Sequence, residues 1–326
     1  MPEKLFKNFF DKKNIFITGG SGYIANHLIK DLSKYNSNIY ILSSKKNKNK
    51  KNIKFIHGKL NEFSKFKSSL SKCDIIFHLG FNNSIDDITK NFKLNKKIQT
   101  DFFKELKAIH SKSIVKKVLI FTSTVTIYGN HKKSINEYSE DKLFTKYDLL
   151  KLECENFIKL NLQNYNFKCV NLRLSNIYGK SDSSLGSRNI LFKIIKNALI
   201  KKEINMIGNG NFMRNYLYID DLVKALKLSV LYSETLSQYA KINLCSSNTI
   251  KFENLMKKIQ LIMLKKFKTK IKINKQSLSN YSAVDLRNFR CKPSLFIRIT
   301  KWKEKINLEK SIFEIIKVIK NEFKKI

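Results

Sequence analysis

The sequence contains few of the residues that interrupt or cross-link a chain. Only two of its 326 residues are proline, so no proline-rich linker separates tethered domains. Its five cysteines are scattered without a C-x-x-C pair, which favours free thiols in a reducing cytoplasm over disulfides or zinc. No stretch reaches the roughly 18 consecutive apolar residues of a membrane-spanning helix, and the charged N-terminus lacks a signal-peptide core. We therefore expect a cytoplasmic protein without membrane insertion.

Arginine is also scarce, although the chain is strongly basic. The formal net charge is +38, yet only six of the 64 basic residues are arginine. A nucleic-acid or anionic-membrane surface would give such a charge, but proteins that bind phosphates commonly use the two-pronged arginine side chain. Because the lysines are spread along the whole chain with asparagine and isoleucine, we attribute the charge to an AT-rich coding sequence. We expect no nucleic-acid partner.

Short apolar runs alternate with amphipathic segments in the first half of the chain. The runs are rich in Ile, Val, Leu and Phe with little polar alternation, which is typical of strands buried on both faces. They lie at residues 14–19, 38–43, 53–58, 74–80, 117–124 and 168–175. Because helical patterns separate them, the sequence predicts an α/β fold with a doubly wound, Rossmann-like parallel sheet.

The alternation weakens in the second half, where helical patterns predominate. We expect a cofactor-binding Rossmann domain over residues 1–178, to which the segment 216–245 returns. The remainder, residues 179–326, is expected to form a smaller C-terminal substrate-binding lobe built onto the sheet.

A glycine-rich turn follows the first predicted strand, in the stretch ITGGSGYIANHL. The first glycine of the pattern permits a tight turn, and the second lets the backbone approach a pyrophosphate at the start of a helix. Ala25 stands in the third glycine position, where helix–strand packing tolerates one methyl group. The pattern predicts a dinucleotide site, with an ordinary glycine-rich turn as the alternative. The predicted contacts are Gly19, Ser21, Gly22, Tyr23 and Ile24.

The end of the second predicted strand bears on the form of the cofactor. An acidic residue at this place binds the adenosine ribose of NAD, but this strand ends at Leu42 and is followed by Ser43, Lys45 and Lys46. A small polar residue with nearby cations suits the 2′-phosphate of NADP, and a solvated lysine-rich loop is the other interpretation. The cofactor is therefore NAD or NADP, and Ser43 and Lys45 favour NADP.

Tyr147 and Lys151 are four residues apart on one predicted helix, so both side chains lie on one face. A phenol has a pKa of about 10, which is poorly matched to proton transfer at neutral pH. A neighbouring ammonium and an oxidised nicotinamide both favour the phenolate, so Tyr147 can exchange a proton with a hydroxyl whose carbon exchanges hydride. Thr124, at the end of a strand, can bond the same oxygen. A surface Tyr–Lys pair is the alternative interpretation.

The order of these motifs resembles that of the extended short-chain dehydrogenase/reductases, the family of nucleotide-sugar epimerases, dehydratases and reductases that includes the UDP-glucose/galactose 4-epimerases. The similar stretches are ITGGSGYIANHL, DIIFHLG, TSTVTIYG, YDLLKLECE, LRLSNIYG and GNGNFMRNYLYIDDLVKAL. The resemblance implies that Thr124, Tyr147 and Lys151 are the catalytic residues. It also implies a nucleotide-sugar substrate and a homodimer formed through the helix that carries Tyr147.

The resemblance implies further ligand contacts. Arg214 falls at a family position that contacts the substrate. A role in binding the substrate diphosphate is consistent with the small number of arginines in this chain. A second such arginine is common in the family near the position of Ser279, where Arg287 is the nearest substitute. The implied substrate contacts are Thr124, Asn176, Asn189 and Arg214, and the implied further cofactor contacts are Leu60, Leu79, Gly80, Tyr147 and Lys151.

The residues after Thr124 separate the reactions of the family. Its dehydratases carry an Asp–Glu pair there, whereas this chain has Val125 and Thr126, which cannot act as acid or base. We therefore expect that the protein is not a 4,6-dehydratase. The segment STVTIYG favours a 4-epimerase, and an NADPH-dependent reductase of a 4-keto-6-deoxysugar nucleotide is the alternative. A non-catalytic dinucleotide-binding regulator is a third hypothesis, suggested by Lys59 and Phe81, where relatives have other residues.

Overall fold

The computed structural model describes residues 2–82, 84–131, 133–162, 165–180, 190–278 and 286–323. The strands within them are β1 Asn14–Thr18, β2 Asn38–Ser43, β3 Ile53–His57, β4 Ile75–His78, β5 Lys117–Thr124, β6 Ser134–Ile135, β7 Phe167–Leu174, β8 Asn176–Tyr178, β9 Glu203–Ile207, β10 Met213–Tyr218, β11 Tyr239–Leu244, β12 Thr249–Lys251, β13 Lys272–Gln276 and β14 Arg290–Cys291. The helices are α1 Pro2–Phe10, α2 Tyr23–Leu32, α3 Lys67–Ser71, α4 Ile85–Lys90, α5 Phe92–His110, α6 Lys146–Leu162, α7 Ile190–Lys201, α8 Ile219–Leu231, α9 Phe252–Phe267, α10 Ser294–Thr300 and α11 Leu308–Phe323.

Seven strands form one sheet in the order β11-β7-β5-β4-β1-β2-β3, and all its pairings are parallel. The six strands predicted from apolar runs are confirmed, with bounds within two residues of those expected. Strand β11 completes the sheet at one edge. Its residues alternate between half-buried and buried at the start, so it lacks the continuous apolar run of an inner strand. The predicted doubly wound parallel sheet is therefore confirmed.

Helices cover both faces of this sheet because successive strand residues point to opposite sides. Ile15 and Ile17 join an apolar cluster with α2 and α8, whereas Phe16 belongs to a second cluster. Phe103 of α5 and Ile158 of α6 are members of this second cluster. Helix α6, which carries the predicted Tyr–Lys pair, is therefore fixed against the sheet by apolar packing.

Smaller sheets follow in the C-terminal part. Strand β10 pairs with β8 in parallel and with β12 in antiparallel orientation, and β9 pairs with β13. Strand β14 pairs in parallel with β6, which lies between β5 and α6 in the chain. This pairing brings a C-terminal segment close to the predicted catalytic residues. The domain boundary between residues 178 and 179 stays a prediction.

The cysteines and the membrane-spanning potential of the helices relate to the expectations from composition. All five cysteines are free and buried. In the part of the chain that the structure describes, no helix is both long and apolar enough to span a membrane.

Candidate active site

The turn between β1 and α2 depends on glycine. Gly19 has a φ of +73°, in the left-handed region, and a Cβ atom there would lie 2.8 Å from backbone atoms of Gly80. Gly22 is the N-cap residue of α2 and has no side chain to cover the helix N-terminus. The first backbone N–H groups of α2 are therefore open to an anionic group.

A buried hydrogen-bond network fixes the segment that faces this turn. The Thr18 hydroxyl accepts a bond from the Gly80 N–H at 2.8 Å and lies 3.0 Å from Nδ1 of His78. Nε2 of His78 lies 2.8 Å from Oε1 of Gln99, whose Nε2 donates to the Gly80 carbonyl. Burial lowers the pKa of His78 to about 3, so the neutral ring donates at Nε2 and accepts at Nδ1. The histidine of the DIIFHLG motif thus holds Gly80 against Gly19.

A cavity of about 600 Å³ opens at the carboxyl ends of β4, β5 and β7, between the glycine turn and α6. In an open parallel sheet this edge is where ligands bind. The predicted site residues that line the cavity are Gly19, Ser21, Gly22, Tyr23, Ile24, Leu79, Thr124, Tyr147, Lys151 and Asn176. The structure therefore brings the glycine turn and the predicted catalytic residues to the walls of one cavity.

At the end of β2 the cavity is lined by Ser44, not by Ser43, the predicted cofactor contact. Ser43 is buried, and its hydroxyl donates to the Lys45 carbonyl at 2.8 Å, so the side chain is used within its own loop. Ser44 lines the cavity instead, 3.3 Å from the hydroxyl of Ser21. Lys45 is exposed and does not line the cavity.

Three other predicted residues that the structure describes do not line the cavity. Leu60 is half-buried and packs against the apolar cluster around Phe66. Gly80 lies behind the wall formed by Leu79. Arg214 donates to the Arg287 carbonyl and lies 4.3 Å from the centroid of the Phe212 ring. Asn189, like Ser279, lies outside the described residues.

Arg173 has a structural role. Its side chain is buried on β7, and it donates to both carboxylate oxygens of Glu155 and to both of Asp141. The guanidinium also lies 4.5 Å from the centroid of the Tyr128 ring. Arg173 thus holds α6 to the sheet and binds no phosphate. The small number of arginines in the chain therefore does not by itself mark an arginine as a phosphate contact.

Lys151 is a buried ammonium group with aromatic neighbours. Its Nζ donates to the Thr122 carbonyl at 2.6 Å, and it lies 3.5 Å from the centroid of the Phe81 ring and 4.9 Å from that of Phe121. Burial lowers the pKa of Lys151 to about 7, against the smaller opposing influence of Cys154 and Glu155. The lysine therefore titrates near neutral pH, with the Phe81 ring over it.

Tyr147 differs from the expectation for its pKa. Its pKa is raised, chiefly by burial and further by the negative charge of Asp148, whereas Arg287 acts in the opposite direction. The sequence predicts that the neighbouring ammonium of Lys151 lowers this pKa. In the structure that ammonium is bonded to the Thr122 carbonyl, and burial sets the direction of the shift at Tyr147. The edge of Tyr147 also packs against Phe81, with ring centroids 5.8 Å apart.

Asp148, the residue after Tyr147, is a functional candidate that the sequence argument missed. It is fully buried, and Arg287 lies 3.2 Å from one of its oxygens. The structure therefore places Arg287 on this carboxylate, where the sequence argument offered it as a substitute for a diphosphate contact. The spacing of Thr145 and Asp148 at the start of α6 was the available signal, because it is that of a helix-capping pair.

Comparison with known proteins agrees with this architecture. The chain belongs to the NAD dependent epimerase/dehydratase family, which matches residues 15–245 and includes enzymes that convert nucleotide sugars by epimerisation, dehydration or reduction. The predicted family is therefore confirmed.

Two curated relatives and one solved structure illustrate the range of similar proteins. The human dTDP-D-glucose 4,6-dehydratase is 28% identical over 235 residues, which cover 67% of this chain and 65% of that protein's length. The Escherichia coli dTDP-4-dehydro-6-deoxyglucose reductase is 26% identical over 275 residues, 78% of this chain and 83% of that protein. The UDP-glucose-4-epimerase of Stenotrophomonas maltophila, solved with NAD and formylated UDP-arabinopyranose, superimposes with a TM-score of 0.81 at 18% identity and covers 96% of this chain and 100% of that one. At this identity the structural likeness shows the fold.

Proposed function

We propose that the protein is an NAD(P)-dependent nucleotide-sugar 4-epimerase. In this reaction a hydride leaves C4 of the sugar and returns to its other face, and Tyr147 takes and returns the hydroxyl proton. The observation that carries the proposal is the position of Thr124, Tyr147 and Lys151 on the walls of the cavity that the glycine turn borders.

The residues around the turn fit a dinucleotide. A Cβ atom at Gly19 would meet backbone and one at Gly20 would lie 2.2 Å from the Ile41 side chain, so the chain keeps this turn free of side chains. We propose that Ser21, Gly22 and the N-terminus of α2 hold the pyrophosphate. The bound cofactor supplies the hydride acceptor and donor. We propose that Lys151 bonds cofactor hydroxyls and that Thr124 bonds the substrate oxygen.

We infer that 4,6-dehydration is not the reaction, although the human relative is named a dehydratase. None of the described residues that line the cavity is aspartate or glutamate. Val125 is buried and Thr126 carries only a hydroxyl. Asp148 lies behind Thr126, but it is fully buried and paired with Arg287, so it cannot reach a sugar.

Reduction of a 4-keto sugar is the second candidate. The E. coli relative named a reductase matches 78% of this chain, and β2 ends in serines where an acidic residue would bind NAD. This reaction would use NADPH. For either reaction we propose a homodimer through α6, on which Leu160 is 71% exposed. Sedimentation analysis of the purified protein tests that assembly.

Identification of the cofactor separates the candidates. Purified protein is denatured and the released dinucleotide is identified by mass. Tightly held NAD supports the epimerase, whereas a protein that retains no dinucleotide but binds NADPH on titration supports the reductase. Release of water from a nucleotide glucose, detected by mass, would instead show a dehydratase.

Substitution of Tyr147 tests the chemistry itself. Tyr147→Phe keeps the ring and removes the hydroxyl, so it should abolish turnover while dinucleotide affinity stays within about twofold of wild type. The matched control is Tyr138→Phe, because Tyr138 is 94% exposed. Retained turnover in Tyr147→Phe would contradict the assignment.

A further inference from the structure

A chain of hydrogen bonds runs from the cavity into the protein. Thr124 and Thr126 both line the cavity, and their hydroxyl oxygens lie 2.9 Å apart. The Thr126 hydroxyl also bonds Oδ1 of Asp148, which is fully buried behind it. The three side chains thus connect a predicted catalytic residue to a buried carboxylate.

The groups around the Asp148 carboxylate show that it accepts hydrogen bonds and donates none. Nη1 of Arg287 lies 3.2 Å from Oδ2 of Asp148, and the Thr145 N–H and hydroxyl donate to the same oxygen at 3.1 and 2.8 Å. A buried carboxylate paired with a guanidinium is ionised, and an ionised carboxylate only accepts hydrogen bonds. The bond between Thr126 and Oδ1 must therefore use the proton of Thr126.

The direction of the next bond follows from the valence of a hydroxyl group. Each hydroxyl has one proton to donate, and that of Thr126 is committed to Asp148. The 2.9 Å contact therefore requires Thr124 to donate to Thr126. The Thr126 N–H in turn donates to the Thr124 oxygen at 3.2 Å. The Thr124 proton is thus used in the bond to Thr126, and a remaining lone pair of Thr124 is left to accept a hydrogen bond from a ligand in the cavity.

We propose that Asp148, acting through Thr126, is a positioning residue that makes Thr124 a hydrogen-bond acceptor for the substrate. Such a site prefers a nucleotide sugar with a free hydroxyl at the reacting carbon over the corresponding 4-keto sugar, because only the hydroxyl can donate to Thr124. This inference rests on the proposed function and deepens it. It favours a substrate that enters as an alcohol, as in epimerisation, over one that enters as a ketone.

The C-terminal segment takes part in this selection. Arg287 reaches Asp148 across 139 positions of sequence and neutralises the carboxylate from outside the main sheet. The same Arg287 Nη1 lies 3.4 Å from the Thr126 carbonyl. The direction of the Thr124 proton therefore depends on a contact between the sheet domain and the segment that precedes β14.

Two substitutions of Thr126 test the inference. Thr126→Val removes the hydroxyl while leaving Asp148 its bonds to Arg287 and Thr145, and Thr126→Ser keeps the hydroxyl. Calorimetry measures the affinity of each protein for UDP-glucose and for UDP-4-keto-6-deoxyglucose. The same two sugars are measured in parallel as their dTDP derivatives. Urea unfolding verifies that both variants fold.

The ratio of the two affinities is the informative quantity, because a general loosening of the site weakens the binding of both sugars together. Wild type and Thr126→Ser should prefer the 4-hydroxy sugar, and Thr126→Val should reduce that preference about 3- to 10-fold, the value of one hydrogen bond. An unchanged ratio in Thr126→Val, or an equal loss in Thr126→Ser, overturns the inference while the proposed function stands. A wild-type protein that binds neither sugar in either series overturns the proposed function and this inference with it.

Discussion

Replacement of Lys151 by methionine tests whether the site contains a buried ammonium group that opposes folding. Lys151 is 3% exposed, and burial lowers its pKa from 10.5 to about 7. The unfolded chain then binds the proton more tightly than the native protein between these two pH values. Stability therefore rises as the pH increases from about 7 towards 10.5, and the unfavourable contribution of Lys151 is largest below pH 7.

The size of the effect follows from this shift. For one group that titrates at 10.5 when unfolded and at about 7 when folded, linkage gives a destabilisation of about 5 kcal/mol at pH 6 and about 2 kcal/mol at pH 9. The packing of the methionine side chain against Phe81 changes the unfolding free energy of the variant by the same amount at pH 6 and at pH 9. Lys151→Met should therefore gain about 3 kcal/mol more unfolding free energy over wild type at pH 6 than at pH 9.

Urea denaturation at the two pH values measures the difference. Lys159→Met is the matched control, because Lys159 is exposed on the same helix and the substitution is the same. This control should differ from wild type by less than about 0.5 kcal/mol at either pH. A Lys151→Met gain that is the same at pH 6 and pH 9 would refute the argument that burial depresses the pKa of Lys151.

Three further predictions follow from contacts around the site. Arg173→Met leaves two carboxylates without their buried partner and should lower the free energy of unfolding by about 3–5 kcal/mol in urea at pH 7; a loss below 1 kcal/mol would contradict a structural ion pair. Gly19→Ala combines a strained φ with a backbone clash and should weaken dinucleotide binding at least about tenfold by calorimetry, so undiminished binding would exclude the turn as the site. Phe81→Ala uncovers Lys151 and should move the midpoint of the pH dependence of dinucleotide affinity upward by about one unit or more, and an unmoved midpoint would show that the ring does not exclude water.

The main sheet was predictable because its inner strands are buried on both faces and therefore read as continuous apolar runs. Strand β11 lies in the segment expected to return to this domain, but it was not recognised as a strand, since its first residues are only partly covered. The helix that carries Tyr147 and Lys151 was also predicted, and the apolar positions of α6 pack against α5 and the sheet.

The site was predictable where local geometry decides it. Helical spacing puts Tyr147 and Lys151 on one face, and the end of a parallel strand puts Thr124 beside them. The exchange of Ser43 for Ser44 depends on how one loop turns, which a single sequence does not encode visibly. The pairing of Asp148 with Arg287 depends on tertiary structure, because no local pattern links positions so far apart.

The ion pair between Arg287 and Asp148 also limits how the chain can be divided. A fragment that ended before Arg287 would contain Thr124, Tyr147 and Lys151 and the whole parallel sheet. It would nevertheless leave a negative charge inside the protein without its counter-ion, next to Tyr147, the proposed proton-transfer residue. The part of the chain that carries Thr124, Tyr147 and Lys151 is therefore electrostatically incomplete by itself, and the segment that contains Arg287 supplies its charge balance.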